Sequence, residues 1–169
     1  MRTFITIIIS LIIGIIIGAL GTIFVYPFIF PPPQVNESVQ NVQAKLLIAN
    51  GKFIDPNPSD PVHWGKGNTK IYAHRNNNIK EVYLDKNFQV GPGPAFYVYL
   101  SEGANIKNNR EFKKYKTTNV ELGPLKSFKG SQIYKIPAKV NIHKFKSVVV
   151  WCKSFSQLIT SAKLERNTK

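Results

Sequence analysis

From Thr3 to Gln34 no side chain is charged, and Phe4 to Val25 is nearly continuous Ile, Leu, Phe and Gly. At about 1.5 Å per residue in a helix, such a run reaches across a hydrocarbon core of roughly 30 Å. Residues 1–30 therefore read as a transmembrane helix, and whatever else the chain builds must start after it. A cleavable signal peptide has a shorter apolar region with small residues at the cut, whereas here the run continues past Ala19 and Gly21 through IFVYPFIF. The expectation is an uncleaved signal anchor. Arg2 and the amino terminus flank one side, and Glu37 is the first charge on the other. That asymmetry predicts a single-pass protein of the cell membrane, its N-terminus cytoplasmic and its C-terminal domain extracytoplasmic. Tyr26, Phe28 and Phe30 suit an interfacial aromatic belt, and Pro27 with Pro31 to Pro33 should stop the helix.

Residues 31–44 read as a proline-rich and polar linker, stiff through Pro31, Pro32 and Pro33, then either extended or a short amphipathic helix. Residues 45–169 are one domain's worth of chain. Arg2 is the one charged side chain among the first 33 residues, so 22 of the 23 basic residues and all 9 acidic ones fall after it. A surface this cationic favours anionic partners such as lipid headgroups or envelope polymers.

After Lys45 short runs rich in Val, Ile, Tyr and Phe alternate with Gly, Pro and Asn clusters, and no long helical period appears. The predicted fold is all-β, an antiparallel β-sandwich or a barrel-like domain. LLIANGKFI opens it, TKIYA and IKEVYL form a hairpin about the RNNN turn at Arg75 to Asn78, and AFYVYL reads as a central strand. SQIYKIP, SVVVWC and SQLITSAKL follow, the last with Leu158, Thr160, Ala162 and Leu164 on one face. The segment from Asn105 to Asn119 carries Lys113, Lys114 and Lys116 near Phe112 and Tyr115. It reads as a mobile surface loop rather than a nucleic-acid patch, since the inferred topology removes it from cytoplasmic nucleic acid.

The one cysteine, Cys152, excludes an intramolecular disulfide. Strand alternation sets Val148, Val150 and Cys152 on one face and Val149, Trp151 and Lys153 on the other. Cys152 is then either an inert core thiol or, at a strand end, a reactive thiol or ligand. No CxxCH is present, which excludes covalent c-type haem, but a noncovalent haem needs only an axial ligand. Cys152 and His63, in a Pro- and Gly-rich loop beside Trp64, are the candidate cofactor-binding residues; for any one histidine a structural role is the competing reading. No metal-binding spacing appears. Neither G-x-S-x-G nor HExxH occurs, and from Leu122 to Leu164 there are eight lysines and no acid, which argues against a stand-alone enzyme.

Several pieces nevertheless occur together in order: Gly51-Lys52-Phe53, His63 followed by Gly65, GPGPAFYVYLS from Gly91 to Ser101, Leu122 to Lys126, GSQIYKIP from Gly130 to Pro137, and VVVWCKSFS. Over roughly residues 44–164 the chain resembles the DM thirteen (electron transfer DM thirteen) domain family. The resemblance implies a small β domain, secreted or membrane-attached, in which Cys152 matches a near-invariant cysteine acting in electron transfer as a bare thiol or as a ligand to a group such as haem. It also implies a redox partner protein, since this chain holds no second redox domain. The acidic residue that members commonly carry soon after the Gly-Pro is missing from Pro94-Ala95-Phe96. The expected function is thus membrane-anchored electron transfer through Cys152, the alternative being a noncatalytic basic module that binds anionic polymer, lipid headgroups or a protein.

Overall fold

A computed structural model describes residues 2–40, 42–75 and 79–167. The centre of the expected RNNN turn (Asn76 to Asn78), Asn41 in the linker and the last two residues of the expected domain lie outside the described residues, as does the amino terminus used for orientation. Helix α1 spans Arg2–Ile29 and is long and apolar enough to cross a membrane. Pro27 does not stop it, because a proline near the C-terminal end removes only one internal hydrogen bond. The helix ends where Phe30 meets Pro31, and a residue before proline is pushed out of the helical region. Residues 31–39 then run without helix or strand, and a 3-10 turn at Val42–Ala44 leads into the domain.

The strands are β1 (Lys45–Ile54), β2 (Gly65–Lys66), β3 (Asn68–His74), β4 (Lys80–Leu84), β5 (Gln89–Val90), β6 (Phe96–Ser101), β7 (Val120–Pro124), β8 (Gln132–Ile136), β9 (Ser147–Cys152), β10 (Gln157–Lys163) and β11 (Glu165–Arg166); helix α2 is Asn109–Lys113. One sheet runs in the order β7-β6-β9-β10-β1-β3-β4-β8, with β11 added to β1, and every pairing is antiparallel. It curls into a nearly closed barrel, the second of the two expected arrangements, and β6 lies between β7 and β9 as a central strand should.

Alternation decides what fills the barrel. Phe96, Val98 and Leu100 of β6 and Val148, Val150 and Cys152 of β9 join Ile71, Val82, Leu84 and Ile136 in the inner core. Full burial of each large apolar side chain stabilises by about 1.5–3 kcal/mol. Strand β10 departs from the expected face, because a bulge between Leu158 and Thr160 leaves Ile159 outside the pairing register. Ile159, Ala162 and Leu164 pack inward, while Leu158 is turned to the outer side with Val149 and Trp151.

That outer side is covered by the segment read from sequence as a mobile loop, and the reading is corrected. Phe112 of α2 is buried and stacks on Trp151 with ring centroids 4.5 Å apart, and Ile106 joins the same cluster. Asn109 accepts from the Leu158 amide at 2.7 Å and donates to Gln157 Oε1 at 2.7 Å, and Ser147 Oγ donates to the Gly103 carbonyl at 2.7 Å. Buried apolar area and satisfied polar atoms together fix a stretch that composition alone marks as surface.

Two further features position the site. At the end of the barrel where β9 finishes, the loops on either side of β5 and the turn between β7 and β8 close the interior, with Phe53 against Phe88 at 5.2 Å and Phe96 against Phe128 at 5.8 Å. The linker seats on β8 and the turn before it, beside the open seam between β7 and β8. Glu37 donates its amide to Ser131 O at 2.9 Å, and its carboxylate accepts from the Ile133 amide. The same carboxylate pairs with Lys126 Nζ at 2.7 and 2.8 Å, and that ammonium also donates to Ile133 O at 2.9 Å.

Candidate functional site

Cys152 is the last residue of β9, paired with Phe96 on one side and Gln157 on the other, and the chain then reverses through Lys153 to Ser156. Its side chain faces the barrel interior and the residue is 1 % exposed. The thiol donates to the Pro94 carbonyl at 3.2 Å, while the Lys153 amide donates to Ala95 O at 3.0 Å. Two residues around this contact, Ala95 (φ 52°) and Ser156 (φ 49°), hold left-handed backbone without being glycine. Each such residue stores on the order of 1–3 kcal/mol of strain, which persists only where surrounding contacts dictate it.

Burial pushes the Cys152 thiol above its ordinary range, and hydrogen bonds from the Phe155 and Ser154 amides pull partly back. The thiol is therefore protonated at neutral pH. Lys153 adjoins Cys152 in sequence but serves the outer face: its ammonium lies 3.7 Å from the Tyr97 ring centroid and 2.7 Å from Glu121 Oε2. Tyr99 donates to that same oxygen at 2.8 Å. Burial opposes ionisation of Glu121, but the hydrogen bonds from Lys153 and Tyr99 and the charge of Lys153 hold its pKa below the usual carboxylate range. Burial, then the bond to Glu121, drive the Tyr99 phenol upward.

The loop before β6 is packed tightly against its neighbours. A Cβ on Gly91 would stand 2.1 Å from the Val62 carbonyl, and Gly91 donates its amide to Trp64 O at 3.1 Å. The loop holding His63 thus touches the loop that holds the Cys152 thiol, but the two side chains are not brought into one cavity. His63 Nδ1 is 2.7 Å from Asp60 Oδ2, and Asp60 Oδ1 accepts from the Val62 and His63 amides at 2.9 and 3.0 Å. The ring lines a cavity of about 250 Å³ with Asn57, Asn108, Asn109 and Gln157, and Cys152 is not among its lining residues. Of the other histidines, His74 lies 3.4 Å from Glu81 and His143 is exposed in a 3-10 turn.

As it stands the arrangement does not fit an axial haem ligand at Cys152, because the residue is 1 % exposed, its sulfur donates to the Pro94 carbonyl, and it lines none of the five best-formed cavities among the described residues. No group of three or more His, Cys, Asp or Glu among the described residues could hold a metal ion. What the geometry offers is one dry thiol behind a short exposed turn. Pro94, Ala95 and Ser156 stand in the sequence only as members of matched runs, none of a type that announces such a contact, and Glu37 only as the first charge after the apolar run.

No curated protein and no solved structure matches the chain. The family profile described as electron transfer DM13 does, over residues 58–164, which takes in every strand from β2 to β10 and Cys152 itself. A match over more than half of the chain, on the domain that forms the barrel, makes this protein a member of the electron transfer DM13 family.

Proposed function

We propose that the protein is a membrane-anchored electron-transfer module, held by α1 with its barrel on the extracytoplasmic side, that works with a partner redox protein and uses Cys152 as its redox-active group. The observation that supports this reading is the placement of the one thiol in a family-matched domain: at a strand end, donating to a backbone carbonyl, behind an exposed turn. The chemistry open to a lone thiol and a partner disulfide is exchange. Cys152 gives its proton to water and Sγ bonds to one partner sulfur; the partner's S–S bond breaks and its other sulfur leaves as thiolate. The exposed turn from Lys153 to Ser156 must move aside for that step, since Cys152 is closed off in the barrel as it stands.

The test uses the whole chain in detergent. Incubation with an aromatic disulfide at neutral pH should release one thiolate per chain, far more slowly than from free cysteine, and faster as pH rises; Cys152→Ser should release none. A thiol that stays silent until the barrel is unfolded would remove Cys152 from the redox reading and leave it as core.

A further inference from the structure

The route of the chain out of the helix decides which end of the barrel faces the bilayer. Four residues, Pro31 to Gln34, separate Phe30 from a point where the linker is already seated on the barrel: a Cβ on Gly130 would stand 2.1 Å from the Val35 carbonyl. The five residue steps from Phe30 to Val35 span at most roughly 18 Å. From there the linker follows β8, Glu37 against Ser131 and Ile133, and reaches the opposite end of the barrel, where β1 begins at Lys45 opposite His74. The corner by Gly130 is therefore the membrane-proximal one.

The register places Cys152 at that same end. Phe96 pairs with Cys152, Tyr97 with Pro124 at the start of the β7–β8 turn, and Leu84 with Gln132 at its finish. Around Gln34 a cleft is lined by Lys66, Lys86, Lys129 and Asn87, with no carboxylate among its lining residues. All three lysines are exposed. Asp85, next to Lys86 in the chain, is spent internally on the Asn68 side chain at 2.8 Å and on the amides of Asn68 and Asn87. A cationic cleft on a tether this short can come within the roughly 8–10 Å over which the field of anionic headgroups decays at physiological salt.

We infer that the end of the barrel carrying Lys66, Lys86 and Lys129 docks on anionic lipid headgroups, which sets the Cys152 end of the domain at the bilayer surface. The inference rests on the reading that α1 spans the membrane. It narrows the redox partner to one whose reactive group lies at headgroup depth.

The whole chain reconstituted in lipid nanodiscs tests it by amine acetylation, read lysine by lysine. In phosphatidylcholine discs that contain phosphatidylglycerol, Lys66, Lys86 and Lys129 should react about fivefold more slowly than in pure phosphatidylcholine discs, and high salt should abolish the difference. Lys139, Lys144 and Lys146, at the opposite end, should react alike in both. Equal rates at the first three lysines, or protection at the second three instead, overturn the docking while the chain remains disc-bound. Release of the chain from membranes by alkaline carbonate overturns the anchor itself and the docking with it.

Discussion

Cys152 and Glu37 stand at the same end of the barrel, and each is held by chain far away in sequence, but opposite physics holds them. The thiol is dry and neutral, fixed by backbone groups in loops that leave no slack, as the Gly91 contact with the Val62 carbonyl shows. The carboxylate is about a third exposed and fixed by charge, between Lys126 and the Ile133 amide. Packing of the first kind is indifferent to salt and intolerant of volume; a clasp of the second kind tolerates volume and responds to salt and pH. The difference suits what each connects: Cys152 belongs to the barrel wall, whereas Glu37 joins the wall to a tether.

The largest test of that contrast is a matched pair of glycine substitutions. In Gly91→Ala the new methyl meets a carbonyl of the packed loops, and unfolding free energy measured in urea should fall by about 2–3 kcal/mol. In Gly130→Ala the methyl meets the Val35 carbonyl of the linker at the same 2.1 Å, and the residue also has φ +94°. The linker can lift away, so the barrel should lose about 1–2 kcal/mol, from backbone strain, while amides of residues 34–38 exchange faster. Equal losses in the two variants would mean that the linker is as rigid as the wall.

Next in size is Cys152→Ala, expected to lower stability by about 1–2 kcal/mol through lost packing at neutral pH. The pH dependence has a definite sign. Burial raises the folded-state pKa of this thiol, so the unfolded chain gives up the proton first as pH rises. The stabilisation it lends is complete below the ordinary thiol pKa and declines above it, so the gap between wild type and the alanine variant should narrow at alkaline pH. A gap that widens there would show the thiolate to be favoured in the fold, as the Ser154 and Phe155 amides alone would have it.

Smallest is Glu37→Gln. Burial pushes the Glu37 carboxyl up, but the Lys126 and Ile133 hydrogen bonds and the Lys126 charge hold it below the usual range. The clasp is therefore intact above the ordinary carboxyl pKa and weakens as pH falls through the lowered folded-state value. With both partners over a third exposed, the effect should be no more than about 0.5–1 kcal/mol, with faster exchange at residues 34–38 and a wild-type loss on acidification that the variant lacks.

Much of the fold can be read from residue types because alternation is a local property. The inward set Phe96, Val98, Leu100 and the division of β9 into Val148, Val150, Cys152 against Val149, Trp151 follow directly from a period of two. The same rule fails at Leu158, where one bulged residue reverses the face and no residue type marks the bulge. It fails differently for 105–119, whose anchors lie 48 and 49 positions away at Gln157 and Leu158. At the site, the strand-end position of Cys152 is visible in the run of valines and the turn after it. Its acceptor Pro94 is 58 residues distant, and left-handed backbone at Ala95 and Ser156 runs against the preference of both residues.

The path of the linker has a mechanical consequence. Glu37 is clasped at the end of the barrel that carries the β7–β8 turn, whereas β1 begins at Lys45 at the opposite end. A pull on α1 first loads the Glu37–Lys126 pair, and the ladder of β1 with β3 feels tension only after that pair has parted. A load on α1 is then taken up by a contact that can break and re-form, upstream of the strands that enclose the thiol.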